Sequence, residues 1–282
     1  MKFISYIYNN KEGVGILTEK GILPLTKFNS MIDLIENFND DVLKENTYNY
    51  IALEAVKLLA PIPHPRRNIL CIGKNYEDHA KELVATKISD KLVPDAPIYF
   101  TKSADAVIGT EEYIKFYPEV STQVDYEAEL AIVIGKEGVN IRPEEAEDYI
   151  FGYTIINDVS ARDLQLKHKQ WFKAKSLDSF CPMGPCIVHK SDLPFPVELD
   201  IKCTVNGEAR QSSNTSKFIF DIPYIISDLS KGFSLKPGDI IATGTPSGVG
   251  FGFNPPKFLK DGDVVECYVE GIGTLVNRIK SL

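Results

Sequence analysis

Apolar and polar residues alternate along most of this chain in short runs, which is the pattern of β-strands rather than of long helices. The runs are rich in Val, Ile, Tyr and Phe, and turns containing glycine, proline or asparagine separate them. These runs predict strands at residues 3–8, 14–18, 69–73, 98–102, 127–135, 152–160, 199–205, 239–244 and 263–269.

Two helical patterns occur within the first sixty residues. Ser30 is placed to cap a helix that runs through Phe38, and residues 50–59 carry apolar side chains at helical spacing. Three prolines at residues 61–65 end the second pattern, because proline cannot continue a helix.

The proline-rich segment predicts a domain boundary. We expect an α+β, mostly β protein, with a small α/β N-terminal domain at residues 1–62 and a mixed-β catalytic domain at residues 68–282. Within the second domain, the Gly-Asp turns at residues 238–239 and 262–263 each precede a β-branched run. We expect the two strands that follow these turns to be neighbours in one sheet.

Composition and charge exclude several classes of protein. Hydrophobic residues make up 44% of the 282 residues and charged residues 25%, which is typical of a globular protein. The formal charge of −8 disfavours nucleic acid as a partner. Five scattered cysteines indicate reduced thiols rather than a disulfide framework. No signal peptide or membrane-spanning run is evident, so we expect a cytoplasmic protein that does not bind membranes.

The strand that begins near residue 127 carries acidic side chains on one face. Asp125, Glu127 and Glu129 alternate with less polar residues, which is also the pattern of an ordinary solvated strand face. The same face continues as Ala131 and Val133, which we expect to be buried. Because an unpaired buried carboxylate is costly, a bound divalent cation would explain this pattern.

Asp158 offers a third carboxylate for the same cation. It ends an apolar strand, although an aspartate there could equally cap the helix that would contain Leu164 and Leu166. Three carboxylates without histidine or cysteine favour a hard cation, Mg²⁺ or Mn²⁺, with water or substrate as further ligands.

A histidine and a glutamate share one face of a short predicted helix. Asn75 is a reasonable N-cap, and His79 and Glu82 then lie three residues apart. A carboxylate beside an imidazole fixes its tautomer and raises its basicity, as a general base requires. The alternative is an ordinary pair on a surface helix.

Two further segments could contact a substrate. Lys175 could polarise a carbonyl group or bind a carboxylate, although a solvated lysine is the default interpretation. The glycine-rich segment 243–250 lacks the lysine and the following helix of a phosphate-binding P-loop. Its backbone N–H groups could still bind a substrate carboxylate.

Taken together and in order, these motifs resemble the fumarylacetoacetate hydrolase superfamily. The resemblance extends over about residues 68–280. The matching blocks are Asn75-Tyr-x-x-His79-x-x-Glu82, Asp125-Tyr126-Glu127-x-Glu129-Leu130, Asn157-Asp158-x-Ser160-x-Arg162-Asp163, Lys175-Ser176-x-Asp178-x-x-Cys181-Pro182 and Gly244-Thr245-Pro246-x-Gly248-Val249-Gly250.

The resemblance implies a β-roll catalytic fold, usually dimeric, that acts on 2-oxo acids and their enols. It also implies roles for individual residues. These are metal binding by Glu127, Glu129 and Asp158, a catalytic dyad of His79 and Glu82, substrate polarisation by Lys175, and substrate contacts by Arg162, Gln165 and Thr245.

We therefore expect a metal-dependent hydrolase that cleaves a carbon–carbon bond in acylpyruvate-type β-diketo acids through a metal-stabilised enolate. One alternative is an isomerase or decarboxylase of 2-hydroxymuconate-type diacids, which would use the same chemistry without attack by water. A less favoured alternative is a non-enzymatic, metal-stabilised binding protein, which would leave the pair of His79 and Glu82 without a purpose.

Two expectations concern assembly and motion. We expect a homodimer built on the catalytic domain, with the region 210–235 in the contact. Residues 75–95 hold the proposed base but few apolar side chains, so we expect a mobile lid that closes as a short helix over the metal.

Overall fold

The computed structural model of the chain describes residues 1–39, 49–85 and 94–282, with the side chains of residues 83–85 left out. Within these ranges strands predominate over helices, which confirms the expected α+β class. The strands of the described residues are β1 (Lys2–Tyr8), β2 (Lys11–Thr18), β3 (Gly21–Pro24), β4 (Lys57–Leu58), β5 (Ile69–Gly73), β6 (Ile98–Lys102), β7 (Val107–Ile108), β8 (Tyr113–Phe116), β9 (Val124–Asp125), β10 (Ala128–Ile134), β11 (Ile150–Asn157), β12 (Ser160–Ala161), β13 (Cys181–His189), β14 (Asp200–Val205), β15 (Glu208–Asn214), β16 (Ile240–Ala242), β17 (Val264–Val269) and β18 (Gly273–Ser281). The α-helices are α1 (Met31–Glu36), α2 (Glu77–Ala85), α3 (Arg162–His168), α4 (Phe172–Lys175) and α5 (Ile222–Leu229).

The largest sheet has the strand order β3-β2-β1-β13-β11-β10-β16-β5-β6. Strand β10 is antiparallel to both of its neighbours, β11 and β16, and β5 is parallel to β16. The carboxyl ends of β5, β11 and β16 therefore meet the start of β10 at one edge of the sheet. This edge carries the candidate site.

A second sheet, in the order β15-β14-β17-β18-β8, packs on the first. Leu130 and Ile132 of β10 share a hydrophobic cluster with Ile201 of β14 in this second sheet. The opposite face of β10, with Ala131 and Val133, joins a second cluster that also contains residues of α1. Both faces of β10 are thus buried, which explains its nearly continuous apolar sequence.

Strands β1 to β4 extend the large sheet, because β1 pairs with β13 on one side. Ser30 caps α1 as expected, since its Oγ accepts a hydrogen bond from the backbone N–H of Asp33 at 3.1 Å. The division of the chain at residue 62 stays a prediction.

The predicted helix at residues 50–59 is wrong. Leu53–Ala55 forms a single 3₁₀ turn, and β4 follows it and pairs with β1 in antiparallel register. The reason is tertiary: the backbone of residues 57–58 bonds to a strand some fifty residues earlier. Tyr50 and Leu53 are exposed, so the apolar side chains do not share one buried helix face.

The expectation about the two Gly-Asp turns is also wrong. The strands that follow them, β16 and β17, lie in different sheets. The turns themselves are alike, because Asp239 Oδ2 accepts the N–H of Lys236 and Asp263 Oδ2 accepts the N–H of Lys260, each at 2.8 Å. The two turns therefore have the same local structure, although the strands that follow them belong to different sheets.

Candidate metal centre and active-site cleft

Glu127, Glu129 and Asp158 converge where β11 ends and β10 begins. The backbone N–H of Asp158 donates to the carbonyl oxygen of Glu127 at 2.8 Å. One carboxylate oxygen from each of the three residues lies within 4.8 Å of the others, and all three side chains are buried. The three carboxylates that the sequence predicts as ligands of one cation therefore lie close together in the structure.

Glu129 is the least compensated of these carboxylates. Its Oε2 accepts a hydrogen bond from the N–H of Gly244 at 2.8 Å, and it forms no ion pair with any described residue. Burial raises the pKa of Glu129 well above its usual value, and the nearby charges of Asp158 and Glu127 raise it further. A hard divalent cation among three oxygen donors would compensate this charge, so the residues fit such a metal.

Lys175 and Arg162 hold the other carboxylates. Lys175 Nζ lies 2.6 Å from Glu127 Oε2 and 2.7 Å from Asp158 Oδ2. Burial alone would lower the pKa of Lys175, but Asp158 and Glu127 outweigh it and raise that pKa. Arg162 contacts Asp125 through Nε at 2.9 Å and Glu127 through Nη2 at 2.7 Å. Burial would raise the pKa of Glu127, but Lys175 and Arg162 lower it overall.

Two residues near the centre have roles that the sequence did not indicate. Lys102, at the end of β6, is fully buried, and its Nζ donates to Asp158 Oδ1 at 2.5 Å and to the carbonyl of Val159 at 3.0 Å. Its only sequence signal is its position at the end of a strand. Asp125 is outside the three-carboxylate cluster, and it accepts the N–H groups of Gly250 and Phe251 at 2.6 and 2.9 Å.

His79 and Glu82 pair on α2 as the sequence predicts. His79 Nδ1 lies 3.2 Å from Glu82 Oε2, and His79 is buried. Glu82 Oε1 accepts the backbone N–H of Gly248 at 2.8 Å, which ties α2 to the glycine-rich segment 243–250. The contact with Glu82 leaves Nε2 as the ring nitrogen that can exchange a proton in the cleft.

Asn75 does not cap α2, which begins two residues later at Glu77. Its side chain instead accepts the N–H of Phe220 at 2.8 Å and donates to the carbonyl oxygens of Phe220 and Thr243 at 3.0 and 2.8 Å. The predicted N-cap is therefore wrong, because the side chain of Asn75 forms its hydrogen bonds with these distant backbone groups instead.

Thr245 and Gln165 also lie at the cleft, but their polar groups are partly used by the protein. The Thr245 hydroxyl donates to the carbonyl of Ala128 at 2.9 Å and accepts from Gln211 Nε2 at 2.7 Å. Its single proton is therefore unavailable to a substrate. Gln165 Oε1 accepts from Arg162 Nη1 at 3.1 Å, which leaves the amide nitrogen of Gln165 to donate.

A narrow cleft opens over the centre. Besides Ile72, Gly73 and Phe100, its walls contain Lys74 and Trp171, for which the sequence indicated no role. Seven of the site residues predicted from the sequence line it: His79, Glu127, Glu129, Arg162, Gln165, Lys175 and Thr245.

The predicted lid at residues 75–95 falls partly outside the described residues, because residues 86–93 are not described. Its first part is helical, as expected, and carries His79 on α2. Mobility of the lid stays a prediction.

The sequence is similar to proteins of known family. The family model described as "Fumarylacetoacetate (FAA) hydrolase C-terminal" matches residues 68–280. The chain is 55% identical to the oxaloacetate tautomerase YisK of Bacillus subtilis (strain 168) over 228 residues, which is 81% of this chain and 74% of that protein. It is 44% identical to the mitochondrial oxaloacetate tautomerase fahd2 of Xenopus laevis over 237 residues, which is 83% of this chain and 72% of that protein.

Solved structures show the same similarity over the whole chain. A fumarylacetoacetate hydrolase from Exiguobacterium antarcticum is 40% identical, with a TM-score of 0.86 and complete coverage of both chains. A 2-hydroxyhepta-2,4-diene-1,7-dioate isomerase from Mycobacterium marinum is 33% identical, with a TM-score of 0.76 and coverage of 100% of this chain and 98% of that chain. Among the described residues, no helix is long and apolar enough to cross a membrane.

Proposed function

The chain belongs to the fumarylacetoacetate hydrolase family of enzymes, and we propose that it is a metal-dependent tautomerase that interconverts the enol and keto forms of oxaloacetate or a similar 2-oxo dicarboxylic acid. The observation that carries the proposal is the narrow cleft, whose walls contain His79 of the acid–base pair and two of the three clustered carboxylates, Glu127 and Glu129. The names of the two relatives that are 55% and 44% identical support it.

The chemistry of the site suits a 2-oxo acid. Glu127, Glu129 and Asp158 would hold Mg²⁺ or Mn²⁺, which would act as a Lewis acid toward the 2-oxo carboxylate half of the substrate. Lys175 and Arg162 hold Glu127 in place and offset its negative charge, so an anionic substrate meets less repulsion.

His79 is the group that we propose moves the proton. In the conversion of enol to keto, carbon 3 gains a proton and the hydroxyl on carbon 2 loses one. Nε2 of His79 would give the proton to carbon 3, and the ring would regain one from the hydroxyl, so the reaction consumes no water. The contact between Nδ1 and Glu82 holds the ring in one orientation for both steps.

Hydrolysis of acylpyruvates is the second candidate. The same oriented imidazole could deprotonate a water molecule for attack on a carbonyl carbon, and a solved relative that is 40% identical is called a fumarylacetoacetate hydrolase. Isomerisation or decarboxylation of 2-hydroxymuconate-type diacids would also use this cleft. The enzyme family argues against the non-enzymatic alternative.

Product analysis separates these functions. The purified protein with Mg²⁺ is mixed with enol-oxaloacetate, with an acylpyruvate and with a hydroxymuconate derivative, and products are followed by ultraviolet absorbance and proton NMR. We expect rapid conversion of enol- to keto-oxaloacetate without release of pyruvate, and loss of this conversion in Glu129→Gln. Rapid formation of pyruvate from the acylpyruvate, with no acceleration of tautomerisation, would refute the tautomerase function and support the hydrolase function.

A further inference from the structure

We propose that Lys74 binds the distal carboxylate of the substrate, so that the cleft selects 2-oxo dicarboxylic acids over monocarboxylic acids of the same length. This inference rests on the proposed function and adds the residue that would set the substrate class. It concerns a residue of the turn between β5 and α2, outside the carboxylate cluster and the His79–Glu82 pair.

The first support is the location of Lys74. It lines the cleft together with His79 and Glu129, and only 5% of its surface is exposed. Lysine is rarely buried to this extent, because removing an ammonium group from water is costly. A buried cation in the wall of a small cleft is suited to bind an anion that enters the cleft.

The second support is the backbone at Lys74. Its φ of 59° lies in the left-handed region, which is unusual for a residue with a long side chain. Such a conformation persists only where the surroundings enforce it, and it is often found at functional sites.

The neighbours of Lys74 enforce this conformation on both sides. A Cβ atom on Gly73 would lie 2.5 Å from Trp171 Cζ3, so the indole packs directly on the backbone there. On the other side, the hydrogen bonds of Asn75 with Phe220 and Thr243 anchor the chain. The turn therefore holds the backbone at Lys74 in a fixed conformation.

The third support is the charge of the cleft. Arg162 and Lys175 line the cleft and contact carboxylates of the protein there. Lys74 comes from a different element and adds a third basic side chain to the same small space. A 2-oxo dicarboxylate has a second negative charge beyond its 2-oxo acid half, and Lys74 would bind it.

Binding of two matched probes tests the inference without requiring turnover. Malate and 2-hydroxybutyrate have four carbons and the same 2-hydroxy acid half, and they differ in a distal carboxylate against a methyl group. We measure the affinity of each for the Mg²⁺-loaded protein by calorimetry. Because a hydrogen bond to a charged group contributes about 1.5–3 kcal/mol, we expect the wild type to prefer malate by about 10- to 100-fold.

Three variants complete the test. Lys74→Met should remove most of the preference for malate and leave the affinity for 2-hydroxybutyrate unchanged, while Lys74→Arg should retain the preference. Lys81→Met is the matched control, because Lys81 is an exposed lysine of α2 that pairs with Glu77 and Asp78. It should behave as the wild type. If Lys74→Met does not fold, Lys74→Gln takes its place.

The outcomes separate this inference from the proposed function. Equal binding of the two probes by the wild type, or an unchanged preference in the neutral variants, would overturn the role of Lys74 even if oxaloacetate is tautomerised. A preference that depends on Lys74, in a protein that does not tautomerise oxaloacetate, would support the distal carboxylate site and refute the proposed reaction. With both correct, kcat/KM for oxaloacetate should fall about 10- to 100-fold in Lys74→Met.

Discussion

The backbone N–H of Asp158 donates a hydrogen bond to the carbonyl oxygen of Glu127 at 2.8 Å, so the end of β11 is joined to the start of β10 beside their carboxylates. This bond fixes the separation of two side chains that repel each other. Three buried cations, Lys102, Lys175 and Arg162, offset the charges of Glu127 and Asp158, whereas Glu129 has no such partner among the described residues.

We predict that Glu129→Gln abolishes binding of Mg²⁺ and Mn²⁺ but stabilises the metal-free protein, because it removes a buried carboxylate that the protein compensates only in part. Calorimetry measures the metal affinity, and thermal unfolding with and without Mg²⁺ measures the stability. The exposed Glu208→Gln serves as the control. Metal affinity equal to that of the wild type would refute Glu129 as a ligand.

We predict that Lys102→Met lowers the free energy of unfolding by about 3 kcal/mol, because breaking a buried ion pair leaves a carboxylate insufficiently paired. Urea denaturation measures this change. The matched control is Lys202→Met, since Lys202 contacts Asp200 at the surface and should contribute less than about 1 kcal/mol. Similar losses in the two variants would contradict a special role for Lys102.

We predict that His79→Gln and Glu82→Gln lower kcat for oxaloacetate tautomerisation and leave the metal affinity unchanged. The expected loss for His79→Gln is about 10²- to 10⁴-fold, because the residue acts by proton transfer. Glu82→Gln should lose less, since the imidazole remains present but is held less firmly. Stopped-flow absorbance measures the rates. Turnover at the wild-type rate in His79→Gln would place the acid–base group elsewhere.

We predict that Thr245→Ser turns over substrate within about tenfold of the wild type, because serine can make the same two hydrogen bonds with Ala128 and Gln211. Thr245→Val should lose about 1–3 kcal/mol of stability, because it leaves buried polar groups without a partner. Steady-state kinetics and urea denaturation are the measurements. A large loss of kcat in Thr245→Ser would instead indicate a precise contact with substrate.

We predict a homodimer that forms through the catalytic domain. The region 210–235 has a partly exposed aromatic pair, in which the rings of Phe220 and Tyr224 stack at 5.3 Å. Light scattering at micromolar concentration should report twice the mass of the chain for the wild type and a lower mass for Tyr224→Glu. A wild-type protein that is monomeric at this concentration would contradict the prediction.

The sequence by itself determined the features that depend on neighbouring residues. The period of two along a strand placed Glu127 and Glu129 on one face, and the face continued into buried Ala131 and Val133. The helical spacing brought His79 to Glu82, and Ser30 capped α1. These features were predictable because each one is set by backbone geometry within a few residues.

The tertiary structure alone decided which distant groups meet. Lys102 reaches Asp158 across 56 residues of sequence, and Gln211 reaches Thr245 across 34. Neither pair leaves a periodic or spacing signal in the chain. The Gly-Asp turns show the same limit, because two nearly identical turns lead into strands of different sheets. Local hydrogen bonds form each turn, whereas the partner of the following strand depends on which distant backbone and apolar surface lies beside it in the folded protein.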